Sequence, residues 1–455
     1  MDHPFTQKWQ PQSWQSHTAD QQPLYSDLKA VDRVLAEIHR CPPLVTWGEI
    51  DKLRRQLAEA GRGERFVLQG GDCAERFDDC TAGAIANKLK ILLQMSLVLV
   101  HGLKKRVIRV GRMAGQYAKP RSAEYETRNG VTLPSYRGDI INRSGFSATE
   151  RAADPELMLR GYEHAALTLN FLRALMDGGF ADLHHPENWD MDFVRESPLE
   201  AEYRRIVQSI LNSLNFMGVI SSQSLADSHC IDFFTSHEGL HLLYEQAQTS
   251  FVAETGQWYN LATHFPWIGM RTADINSAHV EYFRGIANPI AVKVGPGMTS
   301  ERLLELCAIL NPNNEMGRLT LIHRFGASLI NDKLPDLVAA IQKSGKQVLW
   351  ICDPMHGNTE TTASGIKTRR FENILTELEM SFVLHQQLGS ILAGVHFEFT
   401  GDDVTECTGG IRGLTDTDLE RAYKSQVDPR LNYEQALEMA MRIVARKQGK
   451  AISSI

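Results

Sequence analysis

The sequence predicts an α/β fold, a (β/α)8 TIM barrel with an N-terminal helical extension and a helical insertion between strands 2 and 3. Three observations predict it. Eight short runs rich in β-formers recur along the chain, with helical stretches between them. Most of these runs are near-continuously apolar rather than alternating, as a parallel sheet covered on both faces requires. The reactive side chains also cluster just after the runs, and in a barrel the C-terminal strand ends form one rim.

The chain has 455 residues, enough for one large barrel with additions. Hydrophobic residues make up 43%, charged residues 23%, and the net charge is −7, a globular composition that argues against a nucleic-acid partner. Any basic site must then be local and suited to small anions. The seven cysteines are odd in number and form no CxxC pair, which points to a reducing, cytoplasmic setting. The N-terminus lacks an apolar signal core, and the sequence reads as having no apolar run long enough to span a membrane.

Residues 1–62 read as an arm and two helices, 63–455 as the catalytic barrel, with 123–230 inserted. Trp9 and Trp14 punctuate a polar arm that packs onto something larger. Ser26 is the expected cap of a helix with Leu28, Val31, Leu35 and Ile38 on one face, stopped by Cys41-Pro42-Pro43. Thr46 and Glu49 form a capping-box pattern for a second helix running to Gly61-Arg62-Gly63. The expected strands are 66–69, 107–110, 231–234, 267–269, 290–294, 319–322, 348–351 and 395–399. Helices are expected over 82–100, 299–310, 334–343 and 370–388. Residues 181–185 could form a further strand but break the alternation and are left out. The insertion is too long for an ordinary connection. It carries one helix opening at Asp154-Pro155 and stopping at Gly178-Gly179, and another opening at Ser197-Pro198.

The stretch from Gly111 through Arg112, Lys119, Arg121 and Ser122 follows the second run and reads as an anion receptor, with cations and free backbone N–H groups in one loop. Standing alone it would be a solvated basic turn. After other strands come Cys73; Ser236, His237 and Glu238; Arg271; Lys293; Arg324; Asp353 and His356; Glu398; and, in a late loop, Asp428. Arg112, Lys119, Arg121, Arg271, Lys293 and Arg324 are too many cations to converge without anions between them, which implies a substrate with at least two anionic groups. Cys73, His356, Glu398 and Asp428 form a mixed sulfur, nitrogen and oxygen set that a divalent metal could bind. The competing reading is a buried apolar cysteine and a hydrogen-bonded loop histidine, and spacing does not choose between them.

Longer motifs make the chain recognisable. Gly70-Gly71-Asp72-Cys73-Ala74-Glu75, Leu133-Pro134-Ser135-Tyr136-Arg137-Gly138-Asp139, Thr235-Ser236-His237-Glu238, Trp267-Ile268-Gly269-Met270-Arg271-Thr272, Lys293-Val294-Gly295-Pro296, Asp353-Pro354-Met355-His356-Gly357-Asn358-Thr359, Asp403-Val404-Thr405-Glu406-Cys407 and Val427-Asp428-Pro429-Arg430-Leu431-Asn432 resemble the class II 3-deoxy-D-arabino-heptulosonate 7-phosphate synthases. The likeness runs from Trp9 onward. It implies a metal-dependent, aldol-like condensation of phosphoenolpyruvate with erythrose 4-phosphate on a (β/α)8 barrel, the first step of the shikimate pathway.

Carried over residue by residue, the resemblance makes Cys73, His356, Glu398 and Asp428 the ligands of Mn²⁺ or Co²⁺, with Fe²⁺ or Zn²⁺ as alternatives. Arg112, Arg271, Lys293 and Arg324 would hold phosphoenolpyruvate. Lys119, Arg121 and Ser122, with Lys367, would orient the aldose phosphate. Catalysis would rest on Lys293, Arg112, Cys73 and His356, Lys293 chiefly as a phosphate contact. The resemblance also implies a homo-oligomer, with an aromatic amino acid as effector or a chorismate mutase as partner. Met270 stands where the class usually has a carboxylate, and His323 before Arg324 is unusual too. Two alternatives follow: a relative in specialised metabolism using a modified aldose phosphate, and a catalytically silent homologue that binds a partner.

Overall fold

The computed structural model describes residues 9–178, 180, 199–220 and 232–447. Among them eight parallel strands form one curled sheet: β1 (Arg65–Gly71), β2 (Arg106–Arg112), β3 (Phe233–Thr235), β4 (Trp267–Ile268), β5 (Ile290–Val294), β6 (Leu319–His323), β7 (Leu349–Cys352) and β8 (Leu392–Glu398), in the order β3-β2-β1-β8-β7-β6-β5-β4. Backbone bonds across the remaining seam bring β3 and β4 together. The Phe265 N–H donates to Thr235 O at 3.1 Å, Trp267 N–H to His237 O at 3.1 Å and Gly239 N–H to Trp267 O at 3.0 Å. This is the α/β barrel the apolar runs predict, its strand edges consumed by closure.

Alternation along the strands explains how one barrel has both an apolar core and a charged mouth. Val67, Ile108, Val110, Phe234, Trp267, Ala291, Ile322, Leu349, Ile351 and Ala393 form a single interior cluster. Two residues further along the same inward-facing rows come Arg112 after Val110, Lys293 after Ala291, and Asp353 after Ile351. The register aligns Gly71 with Arg112 on one side and with Glu398 on the other. Residues far apart in sequence therefore reach the same rim.

Helix α1 (Leu28–Arg40) is capped by Asp27 rather than Ser26, its carboxylate accepting the Ala30 N–H at 3.0 Å. Helix α2 (Trp47–Gly61) begins with the expected Thr46–Glu49 capping box. Its Leu53, Leu57 and Ala60 join the barrel-interior cluster, so α2 plugs the end opposite the charged mouth. Helix α3 (Ala82–Leu103) is long and apolar enough by length and composition to cross a membrane, against the expectation that no such run exists. In the fold it is a core helix. Its Ile91, Leu92, Met95, Val98 and Leu99 pack with the C-terminal helix Tyr433–Lys447 in one cluster.

In the insertion, helix Glu156–Asp177 starts after Pro155, and a second helix covers Glu200–Ile220. Ser197-Pro198, residues 181–185 and Ile231 lie outside the described residues. The insertion also holds a hairpin, Tyr125–Arg128 with Val131–Pro134, that periodicity did not reveal. Its signal was Asn129-Gly130, both at positive φ (50° and 77°), the dipeptide that a tight two-residue hairpin turn favours. A further hairpin, Thr359–Thr361 with Lys367–Arg369, carries Lys367 to the mouth.

Candidate active site

At the C-terminal mouth lies a cavity of about 410 Å³ whose walls include Arg112, Lys119, Arg121, Ser122, Arg271, Lys293, Arg324, His356, Lys367 and Asp428. Cys73 and Glu398 are fully buried beside it. The fold thus brings every residue singled out for the site to one place. Trp267 forms part of the wall, with the Arg112 guanidinium 5.2 Å from its ring centroid and the Lys293 ammonium 5.9 Å away. Among the described residues the lining has seven lysines and arginines against two carboxylates, Glu238 and Asp428. Such an excess in a partly dry space favours anionic ligands.

Donor atoms of Cys73, Glu398 and Asp428 lie within 4.8 Å of one another. His356, expected as the fourth member, is not part of that group; its Nε2 adjoins it 2.9 Å from Glu398 Oε1. The Lys119 ammonium stands among these donors, 2.8 Å from Cys73 Sγ, 2.9 Å from Asp428 Oδ2 and 3.4 Å from Glu398 Oε1. Burial alone would lower Lys119, but Asp428, Cys73 and Glu398 hold it protonated above its usual range. A cation is therefore stable among the Cys73, Glu398 and Asp428 donors. Burial, with Glu398 adding to it, pushes the Cys73 thiol up to about 12, so a thiolate there needs more positive charge than the protein supplies. One sulfur and two carboxylates around a stand-in cation, with an imidazole against one of those carboxylates, fit a divalent metal.

Further side chains fix this group. Asp353 accepts from His356 Nδ1 at 2.7 Å and turns Nε2 toward Glu398. That is the arrangement by which a carboxylate orients a ligand imidazole. Lys293 also bonds Asp353, and burial draws the Lys293 ammonium down to about 8 against the opposing carboxylate. Glu398 accepts from Arg112 at 3.0 Å through Oε1 and from Arg369 at 2.8 Å through Oε2. Burial would raise the Glu398 carboxyl, but His356, Lys119, Arg369 and Arg112 hold it well below the usual carboxylate range. His396, kept neutral by burial, accepts from Arg112 at 2.7 Å. Asp353, Arg369 and His396 were not singled out for roles. Asp353 sits three residues before His356 and Arg369 two after Lys367, spacings that could have flagged them; His396 carries no such signal.

At the rim, Arg271 donates to Ser122 Oγ at 2.8 Å, and Lys367 lies 3.5 Å from Asp428 Oδ1. Arg324 donates from Nη1 to the Met270 sulfur at 3.0 Å and from Nη2 to the His356 carbonyl. Glu238 has one oxygen without a partner, and burial raises its carboxyl despite Lys119, Lys293 and Arg112.

The basic loop after β2 differs from expectation in one respect. Its backbone N–H groups do bind an anion, but the anion is Glu75: Ala114, Gly115 and Gln116 donate to that carboxylate at 3.0, 2.9 and 2.9 Å. Those three N–H groups are therefore not open to a ligand. Glu75 arrives from the loop after β1, a proximity that no local pattern encodes.

The class-II DAHP synthetase family model matches residues 9–444. A Streptomyces coelicolor protein called phospho-2-dehydro-3-deoxyheptonate aldolase is 47% identical over 431 residues, 95% of this chain and 96% of that protein. A protein of the same name from Neurospora crassa is 45% identical over 451 residues, covering 96% and 93%. One from Mycolicibacterium smegmatis is 43% identical over 432 residues, covering 93% and 92%.

Proposed function

The chain belongs to the class-II DAHP synthetase family, and from that premise we infer that it joins phosphoenolpyruvate to erythrose 4-phosphate, giving 3-deoxy-D-arabino-heptulosonate 7-phosphate and phosphate at the head of the shikimate pathway. The observation that carries this reading is a cation-rich cavity opening directly beside the Cys73, Glu398 and Asp428 donors, with His356 against Glu398. Two phosphates and a carboxylate need that cation excess, and an aldehyde needs an electrophilic centre next to it.

In this proposal Cys73, His356, Glu398 and Asp428 hold a divalent metal, Mn²⁺ or Co²⁺ ahead of Fe²⁺ or Zn²⁺. When bound, the metal polarises the aldehyde carbonyl. Arg112, Arg271, Lys293 and Arg324 anchor the phosphate and carboxylate of phosphoenolpyruvate and present its C3 to the aldehyde carbon. Lys119, Arg121, Ser122 and Lys367 seat the aldose phosphate. As the new bond forms, positive charge develops at C2, and water adds there before phosphate departs. Glu238, with its free oxygen and raised carboxyl, and Lys293, titrating near 8, are the cavity groups suited to moving that water's proton.

Met270 favours one variation. A thioether instead of a carboxylate beside Arg324 changes the rim, which suits a modified aldose phosphate. Assembly as a homo-oligomer, an aromatic amino acid as effector or a chorismate mutase as partner, and a cytoplasmic setting belong to the same proposal. The exposed Leu24, Leu28 and Leu167 give an assembly apolar surface to cover, and the described cysteines are all unpaired.

The test is phosphoenolpyruvate consumption with erythrose 4-phosphate and with modified aldose phosphates, before and after chelation. Consumption that chelator abolishes and Mn²⁺ or Co²⁺ restores is expected. No consumption with any aldehyde after metal is returned overturns the reading.

A further inference from the structure

Arg324 and His356 belong to different loops, after β6 and β7, yet they must keep one spacing if they act on the same substrate and metal. Two glycines press the loops together. A Cβ on Gly326, which sits at φ +83°, would lie 2.6 Å from Gly357 O, and one on Gly357 would lie 2.2 Å from Gly326 N. Arg324 adds its bond to the His356 carbonyl.

Behind both loops stands Glu377, on the helix Phe371–Gln387 that covers the barrel. Its side chain is fully buried. Oε1 accepts the Phe325 N–H at 2.7 Å, next to Arg324. Oε2 accepts Asn358 Nδ2 at 2.7 Å, two residues beyond His356. Asn358 then crosses back, Oδ1 accepting the Ala327 N–H at 2.9 Å, while Nδ2 also donates to Pro354 O at 2.8 Å. One carboxylate thus straddles the two loops, and one amide sews them. Among the described residues no cation is hydrogen-bonded to Glu377, and burial raises its carboxyl to about 7. An acid kept in that setting opposes folding unless something else requires it.

We propose that Glu377, through Asn358, is a positioning residue that holds Arg324 and His356 in a single geometry and so couples the anchoring of phosphoenolpyruvate to metal binding. The inference rests on the roles assigned above to Arg324 and His356. Glu377 touches neither ligand and acts only through the two loops.

The test uses the full chain with Glu377→Ala, Glu377→Gln and Asn358→Ala, following steady-state kinetics, Trp fluorescence during phosphoenolpyruvate titration, and Mn²⁺ binding by electron paramagnetic resonance. The expected result is a rise of roughly tenfold or more in KM and Kd for phosphoenolpyruvate and in the Mn²⁺ requirement, with KM for erythrose 4-phosphate within about twofold. That split arises because three of the four aldose-phosphate residues, Lys119, Arg121 and Ser122, sit on the β2 loop outside the clamp, and Lys367, on the hairpin beyond Asn358, is tied to Asp428. Glu377→Gln should be milder than Glu377→Ala, since its amide oxygen still accepts from Phe325. If Glu377→Ala does not fold, Asn358→Ala opens the clamp from the other end. Parallel rises in both KM values, or unchanged phosphoenolpyruvate and Mn²⁺ binding in the folded variants, overturn the proposal. Failure of the functional reading is distinct, because it shows in the unsubstituted protein.

Discussion

Cys73 is the side chain whose environment changes most between the two ways of placing a positive charge beside it. With Lys119 and Arg112 nearby, burial still keeps its thiol protonated to about 12; a divalent ion would take the thiolate. Cys73→Ser replaces a soft donor with a hard, weak one. It is expected to lower Mn²⁺-supported turnover by roughly 100-fold or more, since removing a metal's direct ligand exceeds the 10- to 100-fold cost of losing an outer partner. Wild-type turnover in the Ser variant, with metal content measured in parallel, would remove Cys73 from the metal set. Arg324→Ala should raise KM for phosphoenolpyruvate roughly 10- to 100-fold, the worth of a charge-assisted contact of about 1.5–3 kcal/mol. An unchanged KM would show that the phosphate lies elsewhere. Met270→Glu places a carboxylate against Arg324 where a thioether now sits at 3.0 Å. Competition for the guanidinium should weaken phosphoenolpyruvate several-fold; a large gain with erythrose 4-phosphate would show instead that the native aldehyde differs.

At the scale of elements, the loop after β2 depends on its neighbour. Three backbone N–H groups of Ala114, Gly115 and Gln116 rest on the buried Glu75 carboxylate, and Lys119 follows three residues later. Glu75→Ala leaves those donors without a partner, at about 1–3 kcal/mol for each group that water does not reach. A loss of about 3 kcal/mol in urea unfolding is expected, together with lower turnover as Lys119 loses its placement. An unchanged midpoint would mean that the loop holds its own shape. Element type and order were legible because helix and strand periods are local. The Thr46–Glu49 box and the apolar runs of β5 and β6 lie in a few consecutive residues. The partner of Glu75 was not legible, since nothing within either loop states which other loop it will face.

The whole molecule buries histidines as neutral imidazoles. Burial pushes His241, His279 and His385 down to about 4, and His323 and His396 well below their ordinary range. The sign follows from proton counting. Above about pH 6.5 both folded and unfolded imidazoles are neutral, and folding is not penalised. As pH falls from 6.5 toward 4, the unfolded chain takes up protons that the folded one refuses, so stability drops by about 1.4 kcal/mol per pH unit for each imidazole. Glu377, raised to about 7, contributes in the opposite sense, as do the buried, raised carboxyls of Glu75 and Glu238. The melting temperature is expected to fall steeply between pH 6 and 4.5, and a flat profile across that window would contradict the burial of these rings. Metal adds a further dependence: if it binds only the folded chain, Mn²⁺ at about 100 times its Kd raises stability by about 2.7 kcal/mol.

The polypeptide's own pattern determined the barrel, the order of its elements and the rim on which reactive groups gather, because period, capping and strand ends are properties of neighbouring residues. It also marked the residue types, with cations for anions and a sulfur, an imidazole and two acids for a metal. Only the closed sheet decided that these groups meet. The register setting Gly71 between Arg112 and Glu398 brings Cys73 within 3.7 Å of Asp428 across a sequence separation of 355 residues. Asp353 behind His356, Glu75 beneath the basic loop and Glu377 across two loops were likewise settled there, since a buried carboxylate's partner depends on distance through space, which the spacing along a chain does not contain.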